Sequence, residues 1–248
     1  MERKLRLVES PPIVEIKELT KTFDTVTALD DVSLEIGEGK IIGLLGSNGS
    51  GKTTMLKILA GLCMKYEGQV HIDGRSPGAF TKSEVAYLPD RSGLPEKMEV
   101  AEMIKIYRTF FDDFDEDKCR RLLNLFDIGL RRTTKGMSKG MTDKLQLALM
   151  MSRNARLYLL DEPLGGIDVE ARDHVLDIIL DNFNPQGTMI IVTHLIGEIE
   201  RLFDEIIVLE KGRLRLQGSC DDIRAKYGNS LVDCIKEITR ESRSEQYI

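Results

Sequence analysis

The sequence predicts an α/β fold over 248 residues, with a mixed sheet, an antiparallel β subdomain and a helical insertion, all in a single domain. Three observations carry that expectation. Short apolar runs at 41–45, 85–88, 157–160 and 188–192 have the length and composition of buried parallel strands. Residues 13–19 and 28–36 alternate apolar with polar, which is the period of half-buried strands. Between 98 and 152 the apolar residues recur instead at helical spacing.

Taken in order, 13–19 (Ile-Val-Glu-Ile-Lys-Glu-Leu) is the first strand, Phe23 follows it, and 28–36 is the second. A Gly-Glu-Gly-Lys turn at 37–40 leads into the apolar run 41–45. Directly after it stands Gly46-Ser47-Asn48-Gly49-Ser50-Gly51-Lys52-Thr53-Thr54, then 55–60, a helix closed by Gly61. A strand, a glycine-rich turn and Gly-Lys-Thr opening a helix make a phosphate-binding loop, so the core is expected to be of the P-loop nucleotide-binding kind. Backbone N–H groups wrap a polyphosphate only where no Cβ blocks the approach, which suits Gly46, Gly49 and Gly51. The helix start adds free N–H groups and the positive end of its dipole. Lys52 is placed to put a cation on the β- and γ-phosphates, and the Thr53 hydroxyl to ligate Mg²⁺.

Residues 68–74 read as a strand ending in an Asp-Gly turn, and 85–88 as a strand stopped by Pro89. The helical insertion runs over about 98–152, with Met103, Ile104, Ile106, Tyr107, Phe110 and Phe111 on one stretch and Leu122, Leu123, Leu125 and Phe126 on another. The acidic run 112–117 between them reads as a solvated loop and helix cap. The run 157–160 is a strand that ends in two carboxylates, Asp161 and Glu162. A helix over 169–183, the strand 188–192 ending at Thr193-His194, a short helix, and strands at 205–209 and 213–217 complete the core. The tail over about 228–248 is charged, weakly patterned and left unassigned.

Composition narrows the partners. A net charge of −6 argues against a basic nucleic-acid face, so no nucleic acid is expected. No apolar run approaches the roughly 20 residues of a spanning helix, and residues 1–6 carry no segment suited to a signal peptide. A cytoplasmic protein is therefore expected. Cys63, Cys119, Cys220 and Cys234 are scattered without metal-ligand spacing and read as reduced thiols. With His71, His174 and His194 they form no cluster, so no metal site built from the protein alone is indicated.

A carboxylate at the carboxyl end of a strand beside the phosphate loop can hold the Mg²⁺ shell, which assigns Asp161. The next carboxylate, Glu162, can polarise an attacking water. With these motifs in place the chain resembles the nucleotide-binding subunit of an ATP-binding cassette (ABC) transporter, over roughly residues 13–227. The resemblance implies that Phe23 stacks on adenine, that His194 is the switch histidine at the γ-phosphate, and that Asp168, in Leu-Gly-Gly-Ile-Asp, belongs to the loop that meets a second subunit. Ser138-Lys139-Gly140 stands where the family has its signature Ser-Gly-Gly. By the same resemblance, Ser138 and the Gly140 N–H contact the γ-phosphate of ATP held by the partner's phosphate loop. The implied partners are a second copy or a homologous ATPase subunit, and a separate multi-span permease at the inner face of the membrane.

Two departures from the family pattern stand out. Lys139 replaces a glycine, which leaves function intact if its φ is negative. Asp90, in Tyr-Leu-Pro-Asp, replaces the usual Gln at the metal and the attacking water, changing both reach and charge. Both departures resemble exporter-type bacterial subunits, so an ATPase driving an exporter is the leading expectation. A soluble ABC-type ATPase acting on DNA or the ribosome is the alternative, although such relatives carry long coiled coils or two cassettes. A kinase or GTPase would leave Ser138 and His194 without a role, and no Asn-Lys-x-Asp stretch is present.

Overall fold

The computed structural model describes residues 11–228, 230–235 and 237. A three-stranded antiparallel sheet of order β2-β1-β4 is formed by β1 (Val14–Phe23), β2 (Val26–Ile36) and β4 (Glu67–Ile72). Beside it stands a six-stranded sheet of order β5-β6-β7-β3-β8-β9. Its strands are β3 (Ile41–Leu45), β5 (Val85–Leu88), β6 (Leu157–Asp161), β7 (Thr188–Val192), β8 (Glu205–Glu210) and β9 (Arg213–Ser219). All pair in parallel except β9, which runs antiparallel on the edge.

Period-2 alternation assigns the faces of the large sheet. Ile42 and Leu44, Leu157 and Leu159, and Ile190 and Val192 face the antiparallel sheet and α1 (Lys52–Leu59). Tyr158 and Leu160, with Met189 and Ile191, face a second core shared with the helices. A strand buried on both faces reads as a continuous apolar run, which is why these strands were legible.

The helical insertion contains α3 (Val100–Phe110), α4 (Glu116–Leu125) and α5 (Lys139–Met151), after the short α2 (Thr81–Glu84) that precedes β5. A capping box between Glu99 and Glu102 starts α3, and Asp115 caps α4 by accepting from the Lys118 N–H at 2.8 Å. The acidic run is not wholly solvated as expected. Arg153 is buried and donates through Nε and Nη2 to the Asp113 carboxylate, and through Nη1 to the Val85 carbonyl at 2.7 Å. Its guanidinium also lies 3.9 Å from the Phe111 ring centre. A buried guanidinium needs this many acceptors, so Asp113 is recruited to tie the helical insertion to β5.

The helix α6 (Val169–Asn182) and the short α7 (Ile196–Ile199) follow β6 and β7. Sequence reading ends its assignments at residue 217, but the structure continues into α8 (Cys220–Tyr227), capped by the Ser219 hydroxyl. Residues 231–235 of the unassigned tail are helical, and Leu231, Cys234 and Ile235 are buried in the helical-side core. Cys119, Cys220 and Cys234 are buried free thiols.

Candidate active site

The phosphate loop hangs between the end of β3 and the start of α1. Its glycines are needed for backbone packing rather than for phosphate clearance alone. Gly46 sits at φ +145°, and a Cβ there would lie 2.0 Å from the Leu209 carbonyl oxygen. Gly51 sits at φ +102°, with the Ala28 oxygen 2.4 Å from such a Cβ. Gly49, at φ +78°, has open space beside it, so it is the glycine left free for a ligand to approach. No side chain caps α1 and no acid stands in its first turn, so its N-terminal N–H groups favour an anion.

Lys52 is buried, and its ammonium donates to the Gly46 and Ser47 carbonyls, each at 2.9 Å. Burial pushes its pKa down, and the Glu162 and Asp161 carboxylates pull it back up. The loop lines a cleft of about 420 Å³ together with Phe23, Val26, Thr27, Ala28, Asp90, Asp161 and Glu162. Phe23 closes one end, half exposed, with the Lys21 ammonium 4.4 Å from its ring centre.

Asp161 ends β6 and is buried. Burial raises its pKa most; the Thr53 hydroxyl bonded to it works the other way, while Asp90 and Glu162 raise it further. Its Oδ2 has no hydrogen-bond partner. A buried, unpaired carboxylate oxygen beside a threonine hydroxyl is the hard-oxygen set that Mg²⁺ takes. Among the described residues no group of three or more His, Cys, Asp or Glu could hold a metal by itself. Asp161 and Thr53 therefore fit an Mg²⁺ that would draw its other ligands from outside the protein, and Asp90 lines the same cleft.

Glu162 has φ +54°, a left-handed backbone that a glutamate adopts only under constraint. The constraint is visible. Its N–H donates to the Val192 carbonyl at 2.8 Å, and its own carbonyl accepts from the Gly165 N–H at 3.0 Å. Its carboxylate oxygen Oε2 stands 2.8 Å from His194 Nδ1 and accepts the His194 backbone N–H at 3.3 Å. The two residues expected at the attacking water and the γ-phosphate are thus brought together by the ends of β6 and β7.

Ser138, Gly140 and Asp168 are not among the residues that line the cleft. Ser138 caps α5, accepting from the Met141 N–H at 3.2 Å, and Asp168 precedes α6. Lys139 is the first residue of α5 and is absent from the positive-φ residues, which meets the condition set by its replacing glycine. Gly140 packs on the 164–168 loop so closely that a Cβ would lie 2.8 Å from the Gly166 oxygen. A Cβ on Gly166 would in turn lie 1.9 Å from Asp143 Oδ2.

The family model "ABC transporter" matches residues 29–165, which runs from β2 through the phosphate loop and the end of α5 to Glu162 and beyond. The chain belongs to the ABC transporter family. It is an ATP-binding subunit and an ATPase of that family. An ABC transporter ATP-binding protein of Methanocaldococcus jannaschii is 34% identical over 224 residues, 87% of this chain and 80% of that one. The tungstate uptake system ATP-binding protein TupC of Peptoclostridium acidaminophilum is 31% identical over 207 residues, 81% of this chain and 96% of that one. A solved ATP-binding subunit of an ABC transporter superposes with a TM-score of 0.81 at 27% identity, covering 92% of this chain and 99% of that one.

Lys21, Val26, Thr27 and Ala28 were not singled out by sequence. Lys21 precedes Phe23 by two residues on one strand, the spacing that puts two side chains on one face, so its place at the aromatic was readable. The β2 residues line the cleft through strand pairing with β1, for which no local signal exists.

Proposed function

We propose that two copies of this ABC subunit, or one copy and a homologous ATPase subunit, close around two ATP molecules and hydrolyse them to drive a separate multi-span permease. The observation that carries this reading is the division of the site. Phe23, loop residues 48–54, Asp161 and Glu162 line one cleft, with His194 bonded to Glu162, whereas Ser138, Gly140 and Asp168 do not line it. The N-terminus of α5, opened by Ser138 with Gly140 in its first turn, suits the γ-phosphate held by another copy.

In this mechanism ATP displaces the loop carbonyls from Lys52, whose ammonium then binds the β- and γ-phosphates. Thr53 and Asp161, with Asp90, would hold Mg²⁺, which would supply neutralisation of the phosphate charge. Glu162 accepts the proton of the attacking water. His194 binds Glu162 through Nδ1 and is the donor for the γ-phosphate. A neutral imidazole donates from one nitrogen only, so closure around ATP either adds a proton to the ring or frees it from Glu162. Phe23 stacks on the adenine face, with Lys21 beside it.

No helix among the described residues is long and apolar enough to cross a membrane, and the reading assigns the membrane path to a separate permease. A largely apolar groove of about 200 Å³ between α1, β5 and the helical insertion, lined by Leu62, Tyr87, Tyr107, Phe111 and Met150 with Lys82 and Arg153 among them, fits a mainly apolar segment of such a permease. Exposed Leu62, Met64 and Phe110 extend the apolar surface. The subunit would then sit at the cytoplasmic face of the membrane. Export is the direction proposed, on the signature Ser-Lys-Gly and the Asp at position 90. The relative TupC belongs to an uptake system, so import is the competing outcome of the test.

Size-exclusion chromatography of Glu162→Gln with saturating MgATP is the test. A nucleotide-dependent dimer supports the reading in its two-copy form, and a monomer both alone and mixed with a homologous ATPase subunit contradicts it. Inside-out vesicles containing the co-purified permease would take up the cargo on ATP addition if the system exports, and release it if the system imports.

A further inference from the structure

Arg172 stands on the first turns of α6, outside the cleft, and has no place in the mechanism above. Its guanidinium spans two segments that do have one. Nε donates to the Ile167 carbonyl at 3.2 Å, in the loop that ends at Asp168. Nη1 donates to Glu198 Oε1 at 2.8 Å, on α7, four residues beyond His194. The side chain is mostly buried, at 18% exposure, whereas the neighbouring Arg201–Asp173 pair is 3.6 Å apart and open to solvent. A second set of bonds closes the circuit. The Glu162 carbonyl accepts from the Gly165 N–H, and its carboxylate holds His194.

We propose that Arg172 is a positioning residue that holds the 164–168 loop and the His194 turn in one fixed relation, so that the Glu162–His194 pair keeps the geometry hydrolysis needs. The planar fork of arginine suits this task, because it grips a carbonyl and a carboxylate at a set angle. The hydrophobic contacts of α6 and α7 run through Val175, Leu176, Ile179 and Ile199, all buried in the helical-side core. Loss of Arg172 therefore loosens the turn without removing the packing that holds the helices. The inference rests on the proposed roles of Glu162 and His194, but its signal can be read without them.

The chain has three histidines, so the imidazole resonances of His71, His174 and His194 are separable by substitution. Nuclear magnetic resonance of the nucleotide-free protein should show the His194 resonances of Arg172→Gln and Glu198→Gln shifted to the same new position, with His71 unmoved. Turnover should fall by about 10- to 100-fold in each single variant, as for a misplacement of about 1 Å. KM for ATP should hold within about two-fold and the double variant should lose no more than either single one, because the two residues act through one contact. An unmoved His194 signal, or losses that multiply in the double variant, would overturn the proposal. Should Arg172→Gln fold poorly, Glu198→Gln alone decides it, since it removes the exposed end of the bridge. The failure of the underlying reading looks different. In that case Glu162→Gln retains full turnover while the His194 shift in the Arg172 variant persists.

Discussion

The phosphate loop and the segment at the start of α5 are the two places that the proposed reading assigns to phosphate, yet they differ in what they touch. The loop faces a cleft furnished with its own lysine, carboxylates and aromatic, and Lys52 is already bonded to loop carbonyls at ligand distance. The α5 start has a cap supplied by Ser138 and a glycine pressed against Gly166, but it does not line that cleft. The proposed two-subunit unit rests on that asymmetry, and each of the following variants acts on one side of it.

The largest effect is expected on the loop side. Lys52→Ala removes the cation inside the cleft and leaves Asp161, Glu162 and Asp90 uncompensated against ATP. Binding of a fluorescent nucleotide and turnover should both disappear. Retention of both would remove the loop from the site. Next comes Glu162→Gln, which keeps the shape of the cleft but cannot accept a proton. Turnover should fall by about 10²–10⁴-fold while MgATP binding is retained.

On the other side, Ser138→Gly is the cleaner variant, because glycine costs a helix N-cap only a few tenths of a kcal/mol where alanine costs about 1. Loss of one charge-assisted hydrogen bond, worth about 1.5–3 kcal/mol, lowers turnover by roughly 10- to 100-fold. Nucleotide affinity measured on dilute, monomeric protein should not change. A drop in that single-chain affinity would place Ser138 in its own cleft and end the comparison.

Legibility in the sequence followed the range of the interaction. The strands β3, β5, β6 and β7 were readable because burial on both faces writes itself as an uninterrupted apolar run. The phosphate loop was readable because local backbone geometry demands glycine, although contact with Leu209 and Ala28, rather than phosphate, sets the demand at Gly46 and Gly51. The recruitment of Asp113 by Arg153, 40 residues away, left no local trace. The tail was missed for a related reason. Leu231, Cys234 and Ile235 do recur at helical spacing, but over five residues only. So short a run does not separate a helix from chance before the core surface that buries it is known. For the site, the pairing of Glu162 with His194 follows from β6 and β7 being neighbours, which the motif order alone does not state.

The smallest effect is expected at Asp90, which lies at the seam of the comparison. It lines the phosphate cleft, and also a small recess with Asp143, Gln146 and Glu162, next to the α5 side of the chain. Burial raises the pKa of Asp143, Lys139 lowers it, and Asp90 raises it further, so the negative field of Asp90 reaches α5 as well as Asp161. A third carboxylate near the phosphates disfavours metal-free ATP, and Mg²⁺ relieves that repulsion. ATP affinity should therefore depend on Mg²⁺ more steeply than with a neutral residue. Asp90→Gln should bind metal-free ATP roughly five-fold better, from about 1 kcal/mol of repulsion between charges several ångström apart in a wet cleft. Asp90→Ala should behave likewise without Mg²⁺, but show a modestly lower turnover with it, because one oxygen fewer remains for the metal or the water. Isothermal titration of ATP across an Mg²⁺ series, with turnover in parallel, separates these outcomes. Three superimposable curves would show an Asp90 that faces solvent, and would leave Mg²⁺ to Asp161 and Thr53 alone.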